Sequence, residues 1–220
     1  DYLDNLKAIY PSQLLNAYTK GEFVNLTQGT VYTGFDRDRN GSTETIQPND
    51  VLFVGMDFNV TNMSAVIYVD RGGQWHAVEE LTGVYDTPAM INTLRSNWLD
   101  HPIAVYPDAS GGSRKTVDAS ISDISLLEAA GFDIRVNKKN PFVKDRIMAA
   151  NSAFESQAVM INCDKCQDLT SNLEQLSYDN HGNPDKTSGL DHLCDAATYP
   201  IAYELPINKP ISAVPFKFVV

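Results

Sequence analysis

The apolar run from Val51 to Phe58, VLFVGMDF, constrains the fold of this chain more than any other stretch. A run of this length without polar alternation is typical of a strand that is buried inside a sheet. It carries one carboxylate, Asp57, near its C-terminal end. A buried charge costs desolvation free energy unless a partner, a metal ion or catalysis offsets that cost. Asp57 is therefore the first candidate functional residue.

Two other carboxylates stand beside apolar segments. Asp108 follows the segment Ile103 to Pro107, and Asp195 lies in LDHLCDAATY, where the spacing predicts a helix. Three acids on three elements can hold divalent cations for phosphodiester cleavage, because carboxylate oxygens suit Mg²⁺ and Mn²⁺. Solvent-exposed carboxylates at the ends of strands are the other interpretation, and the residues by themselves leave both open.

The order of the apolar segments predicts a mixed α/β sheet. Between residues 51 and 85 three strands follow one another with short connections, which favours antiparallel pairing. Helices and strands then alternate. Helices are predicted at 88–99, 122–130, 143–154 and 167–176, and a last helix begins near 190. Strands are predicted between them at 103–106, 132–136 and 158–161. This order predicts a layered domain with helices on both faces of the sheet.

The first 50 residues predict an N-terminal arm, followed by a domain that spans 51–220. The polar segment Asp36 to Gly41 copies the first half of a calcium loop, but Gln47 stands at position twelve, so we interpret the segment as an acidic turn in a linker. Because the chain begins at Asp1 and not at Met, we expect it to be part of a longer polypeptide.

Composition limits the classes of function. The 220 residues, 43% of them hydrophobic, are sufficient for a globular core, and the net charge of -11 argues against a protein that binds nucleic acid over its whole surface. No apolar run reaches the roughly 18 residues of a membrane span, and no signal segment opens the chain, so we expect an intracellular protein. Cys163 and Cys166 form a C-x-x-C that lacks two further ligands for structural zinc, and reduced thiols are expected there.

Four segments occur in a fixed order: GMDF at 55–58, YPDASG at 106–111, KKNPFVKDRI at 138–147 and DHLCDAATY at 191–199. In this order they resemble the nuclease domain of the large terminase subunit of tailed bacteriophages. The segment at 22–32, EFVNLTQGTVY, is similar to the one that joins the ATPase and nuclease halves in that family. The resemblance implies a ribonuclease-H-like fold and a metal-dependent endonuclease that cuts concatemeric double-stranded viral DNA during packaging, with little sequence specificity.

The resemblance also implies roles for individual residues. Asp57, Asp108 and Asp195 match the catalytic acids and would bind two Mg²⁺ or Mn²⁺ ions. His192 matches a position where some relatives carry a histidine near the metal, and Asp191 is expected to support the ligands without contacting the metal.

One residue departs from the family pattern. Pro200 stands where the helix that carries Asp195 would be expected to continue. Because proline has no backbone N–H to donate, we expect it to kink or end that helix.

Basic residues near the predicted sheet edge are candidates for phosphate contacts, with Lys138 first among them. The six candidates are Arg114, Lys115, Lys138, Lys139, Lys144 and Arg146. Solvent-exposed charges without a ligand are the alternative interpretation.

The family further implies partners and a location. The chain has no G-x-x-x-x-G-K-[ST] phosphate loop, so the ATPase domain is expected elsewhere in the full-length protein. A portal protein and a small terminase subunit are the other expected partners, and the host cell cytoplasm is the expected location.

Two other hypotheses stay open. The same fold could act on branched DNA or on specific DNA ends, as in Holliday-junction resolvases or transposases. Alternatively, the domain could be a catalytically silent docking module that binds portal or other packaging proteins through the arm and the apolar tail Val214 to Val220.

Overall fold

A six-stranded sheet forms the centre of the protein, for which a computed structural model describes residues 29–59, 62–112 and 122–207. Its strands are β1 Leu52–Asp57, β2 Met63–Arg71, β3 Gln74–Val84, β4 Ile103–Pro107, β5 Asp133–Ile134 and β6 Val159–Ile161. The helices are α1 Arg37–Asn40, α2 Thr87–Asn97, α3 Asp123–Ala129, α4 Val143–Glu155, α5 Gln167–Gln175 and α6 Asp191–Glu204. The predicted contacts of Arg114 and Lys115, the arm before residue 29 and the apolar tail lie outside the described residues.

The strand order in the sheet is β5-β4-β1-β2-β3-β6. The first three strands pair antiparallel, β4 is parallel to β1, β5 is parallel to β4, and β6 is parallel to β3. This arrangement confirms the predicted ribonuclease-H-like mixed sheet. Within the described ranges, no helix is both long enough and apolar enough to span a membrane.

Side chains of the central strands alternate between two cores, because successive residues of a strand point to opposite faces. The first core lies under α2 and α3 and takes Leu52, Val54 and Met56 from β1 and Ile103 and Val105 from β4. The second core lies under α4, α5 and α6 and takes Val66 and Tyr68 from β2 and Ala104 and Tyr106 from β4. This alternation decides which polar residues at the strand ends face α6.

The closest approach in the fold is between β1 and α6. A Cβ atom at Gly55 would clash with the carbonyl oxygen of Ala196 and would lie 2.7 Å from the Cδ atom of Pro200. Pro200 has no N–H, so the Ala196 carbonyl lacks its usual partner four residues on. The sequence predicted that Pro200 would kink or end this helix. The helix does not end there but runs from Asp191 to Glu204. We attribute this to its packing, since the surroundings of Pro200 are buried against β1.

The polar turn that was predicted to be a linker is part of the packing. Asp36 begins α1 by accepting a hydrogen bond from the Arg39 N–H at 2.9 Å. The buried Asn40 side chain donates to the carbonyl oxygens of Phe154 at 2.8 Å and Val159 at 3.3 Å. The linker interpretation is wrong for this turn, because Asn40 satisfies backbone acceptors near the end of α4 and in β6. The domain boundary at residue 50 stays a prediction.

We expect Gly55→Ala to lower the free energy of unfolding by about 3 kcal/mol or more, because α6 would have to move away from β1. Urea denaturation measures the loss. Gly182→Ala is the control: its φ is +76° but no atom lies near its missing Cβ, so it should cost only about 1 kcal/mol. Equal losses in the two variants would contradict the close-packing argument.

Candidate functional site

Two acids reach the same edge of the sheet on the face that α6 covers. Asp57 follows Gly55 by two residues on β1, and Asp108 follows Tyr106 by two residues at the end of β4, so the alternation directs both toward α6. The two strands are parallel and adjacent, and the Asp108 N–H donates to the Met56 carbonyl at 2.9 Å. The structure therefore brings Asp57 and Asp108 together, as the sequence predicted.

Helix α6 presents a row of polar groups to this edge. Asp191, Asp195 and Tyr199 follow one another at intervals of four residues and share one side of the helix. The charges of Asp195 and Asp108 both act on Asp57, and all three acids act on Tyr199. The predicted trio thus forms one electrostatic group.

The Asp57 carboxyl is the most strongly perturbed acid of this group. It is 7% exposed, and burial followed by the charge of Asp195 raises its pKa to about 6, although the hydrogen bond from His192 acts in the opposite direction. The ionised carboxylate is therefore unfavourable here without a cation, because each like charge nearby adds to the cost of burial.

His192 holds Asp57 through a defined tautomer. Its Nδ1 atom lies 3.1 Å from Asp57 Oδ2, and its Nε2 atom lies 3.0 Å from Asn59 Nδ2. Because the Asn59 amide nitrogen can only donate, we assign the ring proton to Nδ1, which then donates to Asp57. In this arrangement both ring nitrogens are engaged, so His192 positions Asp57.

Asp195 has a buried cationic partner that the sequence did not suggest. Arg146 Nη2 lies 2.6 Å from Asp195 Oδ1, the Arg146 side chain is 3% exposed, and its guanidinium stacks on the Tyr199 ring with 4.4 Å to the ring centroid. Burial raises the pKa of Asp195, and the charge of Arg146 offsets this only in part. Arg146 was expected to contact DNA phosphates; its guanidinium instead lies inside the protein, where Asp195 and Tyr199 engage it.

Asp108 is held by a loop on the other side of the site. Asn140 Nδ2 donates to Asp108 Oδ1 at 2.6 Å, and the Ser110 N–H donates to the same oxygen at 2.7 Å. Burial alone would raise the pKa of Asp108, but hydrogen bonds from Asn140, Ser110 and Tyr199 outweigh burial and lower it. Asp108 is thus ionised and oriented at neutral pH.

The donor set fits a divalent cation in its chemistry. Asp57, Asp108 and Asp195 supply hard oxygen atoms, and the buried Asp191 Oδ1 has no hydrogen-bond partner. Among the described residues, however, no three His, Cys, Asp or Glu side chains stand close enough to hold a metal ion together, at this edge or beside the free thiols of Cys163 and Cys166. Small side-chain movements of the acids would have to accompany metal binding.

Three of the predicted phosphate contacts, Lys138, Lys139 and Lys144, are exposed, and two of them lie within two residues of Asn140. None of the three forms an ion pair with another described residue. Their role in DNA binding stays a prediction.

Sequence reasoning missed Asn140, Tyr199, Asn59 and the partner role of Arg146. The spacing of Tyr199, four residues after Asp195 on the predicted helix, was a usable signal. Asn140 and Asn59 gave no such signal, because a single loop amide has no periodicity and its partner is far away in the chain.

The raised pKa of Asp57 predicts how stability depends on pH. An unfolded Asp titrates near pH 3.9, so ionisation of Asp57 opposes folding, and stability is lost as the pH rises from about 4 through about 6. In metal-free buffer, Asp57→Asn should be more stable than the wild-type chain by about 2–3 kcal/mol at neutral pH and equally stable near pH 4. Urea denaturation across this range measures the difference.

The exposed carboxylate Asp100, in the turn before β4, provides the matched control. Asp100→Asn should leave stability nearly unchanged, because the Asp100 side chain is exposed. A stability gain for Asp57→Asn that did not vary with pH would contradict the assigned cause.

We expect Arg146→Met to lower the free energy of unfolding by about 3–5 kcal/mol, because Asp195 would stay buried without its cation. Adding Asp195→Asn should restore part of the loss, which denaturant unfolding of both variants measures. Arg37→Met is the control: Arg37 pairs with Glu174 at the surface, with 55% and 39% of the side chains exposed, so its replacement should lower stability much less than Arg146→Met. A small loss of stability for Arg146→Met would contradict the argument that the buried Asp195 carboxylate needs the charge of Arg146.

Comparison with solved structures shows which proteins share this fold. The large terminase of a thermophilic bacteriophage superposes with a TM-score of 0.72 at 20% identity, over 92% of this chain and 52% of that chain. The nuclease domain of the phage P22 large terminase gives a TM-score of 0.61 at 12% identity, over 83% of this chain and 96% of that domain. The nuclease of the large terminase from another thermophilic phage, G20c, was solved with bound magnesium. It gives a TM-score of 0.56 at 16% identity, over 79% of this chain and 97% of that chain.

This chain therefore spans about half the length of the first of these large terminases and nearly the whole of the isolated nuclease domains. The sequence matches none of the curated proteins. A family model described as the terminase RNaseH-like domain matches residues 54–204, from β1 to the last residue of α6. Because this match covers most of the chain and includes all three acids, the chain belongs to the family of terminase RNase H-like domains.

Proposed function

We propose that this chain is the nuclease part of a large terminase subunit, a divalent-metal-dependent endonuclease that cuts concatemeric double-stranded DNA during viral genome packaging. The observation that carries the proposal is the convergence of Asp57, Asp108 and Asp195 from β1, β4 and α6, in a chain of the terminase RNase H-like family. Family membership supports the nuclease class, and the three acids supply the residues for it.

Each of the three carboxylates is oriented by a different neighbouring residue. His192 fixes one oxygen of Asp57, Asn140 and Ser110 fix one oxygen of Asp108, and Arg146 fixes one oxygen of Asp195. Each carboxylate therefore keeps a second oxygen that these contacts do not use. Carboxylates held in this way lose little further side-chain freedom when they bind a divalent cation.

Magnesium or manganese is the cofactor that we propose, with Asp57, Asp108 and Asp195 as its ligands. When bound, divalent cations supply activation of the attacking water and stabilisation of charge on the leaving oxygen. The G20c nuclease was solved with bound magnesium and also with bound cobalt, which supports the use of a divalent cation by a nuclease of this fold. His192 and Asp191 would support the ligands, since both ring nitrogens of His192 are already engaged.

The exposed lysines 138, 139 and 144 would contact the DNA backbone beside the acids. The match to only about half of a large terminase from a thermophilic phage supports an ATPase domain as a further part of the full-length protein. A portal protein and a small terminase subunit would be its partners in the host cell cytoplasm.

Replacement of the acids tests this proposal. Asp57→Asn, Asp108→Asn and Asp195→Asn should each lower the rate of plasmid cleavage with Mn²⁺ at least about a hundredfold, as expected when a metal ligand or an electrostatic group at the reacting centre is lost. Gel electrophoresis of supercoiled plasmid measures the rate. Asp100→Asn should cleave like the wild-type chain, because its carboxylate is exposed in the turn before β4. Full activity of the Asp57 or Asp195 variant would overturn the assignment.

The choice of substrate separates the proposed function from its rivals. A packaging nuclease should cut linear and supercoiled DNA at similar rates, whereas a resolvase would favour four-way junctions. A docking module would cut none of them, and metal titration by calorimetry would show no binding that depends on the three acids.

A further inference from the structure

Residues 140–146, which we call the bridging segment, connect two of the three acids. At its first residue, Asn140 donates to Asp108 at 2.6 Å and accepts from the Ala109 N–H at 2.7 Å. At its last residue, Arg146 contacts Asp195 at 2.6 Å. The segment is therefore fixed at both ends to the group of acids.

Phe142, in the middle of the bridging segment, is 80% exposed, the largest exposure among the large hydrophobic residues of the described chain. Single exposed apolar residues are common on protein surfaces, so exposure alone carries no meaning. Here, however, Phe142 has no structural explanation: it packs in neither core, and it occupies the N-cap of α4, a position that favours Ser, Thr, Asp or Asn, without forming a side-chain cap.

Three lysines and one carboxylate, Asp145 in the first turn of α4, lie near Phe142 in the sequence, so the local excess of charge is positive in a protein whose net charge is -11. Lys138 and Lys139 precede the bridging segment, Lys144 follows Phe142 by two residues, and all three are exposed. An aromatic ring among lysines fits nucleic acid, whose phosphates attract the ammonium groups while the bases offer apolar faces to the ring. An apolar protein partner would not require this charge.

From these observations we propose that Phe142 contacts the bases of double-stranded DNA beside the phosphate that the acids cleave, and opens one base step there. This inference rests on the proposed nuclease function and adds a residue to it. Apolar side chains that enter a duplex between base steps unstack them partially and bend the DNA. The fixed ends of the bridging segment would hold the ring at a constant distance from Asp108 and Asp195, so that opening occurs next to the cut.

Binding of a duplex oligonucleotide that carries 2-aminopurine tests the proposal, in the Asp57→Asn background so that no cleavage intervenes. Phe142→Ala should weaken binding about tenfold, the loss typical of one aromatic contact with a base, and should abolish the rise in 2-aminopurine fluorescence that reports unstacking. Phe142→Trp should retain both signals. Because the ring is 80% exposed, Phe142→Ala is expected to fold normally.

Leu99→Ala is the matched control. Leu99 is 76% exposed, but it lies in the turn before β4, at the opposite end of this strand from Asp108. Leu99→Ala should change neither the affinity for the duplex nor the 2-aminopurine fluorescence. Duplex binding and fluorescence of Phe142→Ala that equal those of Leu99→Ala would overturn the inference and would leave Phe142 as a surface for another protein.

The two proposals fail separately. If the wild-type chain cleaves plasmid and Phe142→Ala binds and cleaves at the wild-type level, only the role of Phe142 is wrong. If the wild-type chain neither binds duplex nor cleaves it with Mn²⁺, both the nuclease function and the role of Phe142 are overturned.

Discussion

The contact between Gly55 and the Ala196 carbonyl sets the distance on which the site depends. A helix that packs on a sheet is normally separated from it by a layer of side chains, but at this point β1 contributes no side chain, and α6 contributes a carbonyl that Pro200 leaves without its helical donor. One residue before Ala196 stands Asp195, and two residues after Gly55 stands Asp57. The close approach therefore brings these two acids into one electrostatic group.

This closeness opposes stability. Burial and the charge of Asp195 raise the pKa of Asp57, and burial and the charge of Asp191 raise the pKa of Asp195. Within the described residues, Arg146 is the cation that contacts Asp195 directly. A chain selected for stability alone would replace such acids with neutral residues, since charges without sufficient compensation are costly in the interior. Retaining them is consistent with a ligand that carries the missing positive charge.

The sequence predicted the strands and the positions of the acids at their ends, because both are local: an apolar run predicts a buried strand, and a carboxylate at its end is visible by itself. The catalytic role of the acids stays a prediction. Sequence reasoning failed where the outcome depends on tertiary contacts. Pro200 was expected to kink or end α6, yet the helix continues through it, packed closely against β1. Arg146 looked like a surface charge, and only the fold places it against Asp195. The turn around Asn40 looked like a linker because its partners, near residues 154 and 159, are distant in the chain.

The acidic composition and the proposed DNA substrate are compatible if affinity comes from a few well-placed groups. Each phosphate contact through lysine adds affinity that falls as salt concentration rises, and this chain offers few such lysines beside its acids. An aromatic contact with bases releases no counterions, so its contribution is much less sensitive to salt. Phe142, fixed by Asn140 and Arg146, would then supply affinity that the charge of the chain cannot. Under the proposed packaging function, weak electrostatic contacts would allow the duplex to slide until the ring engages.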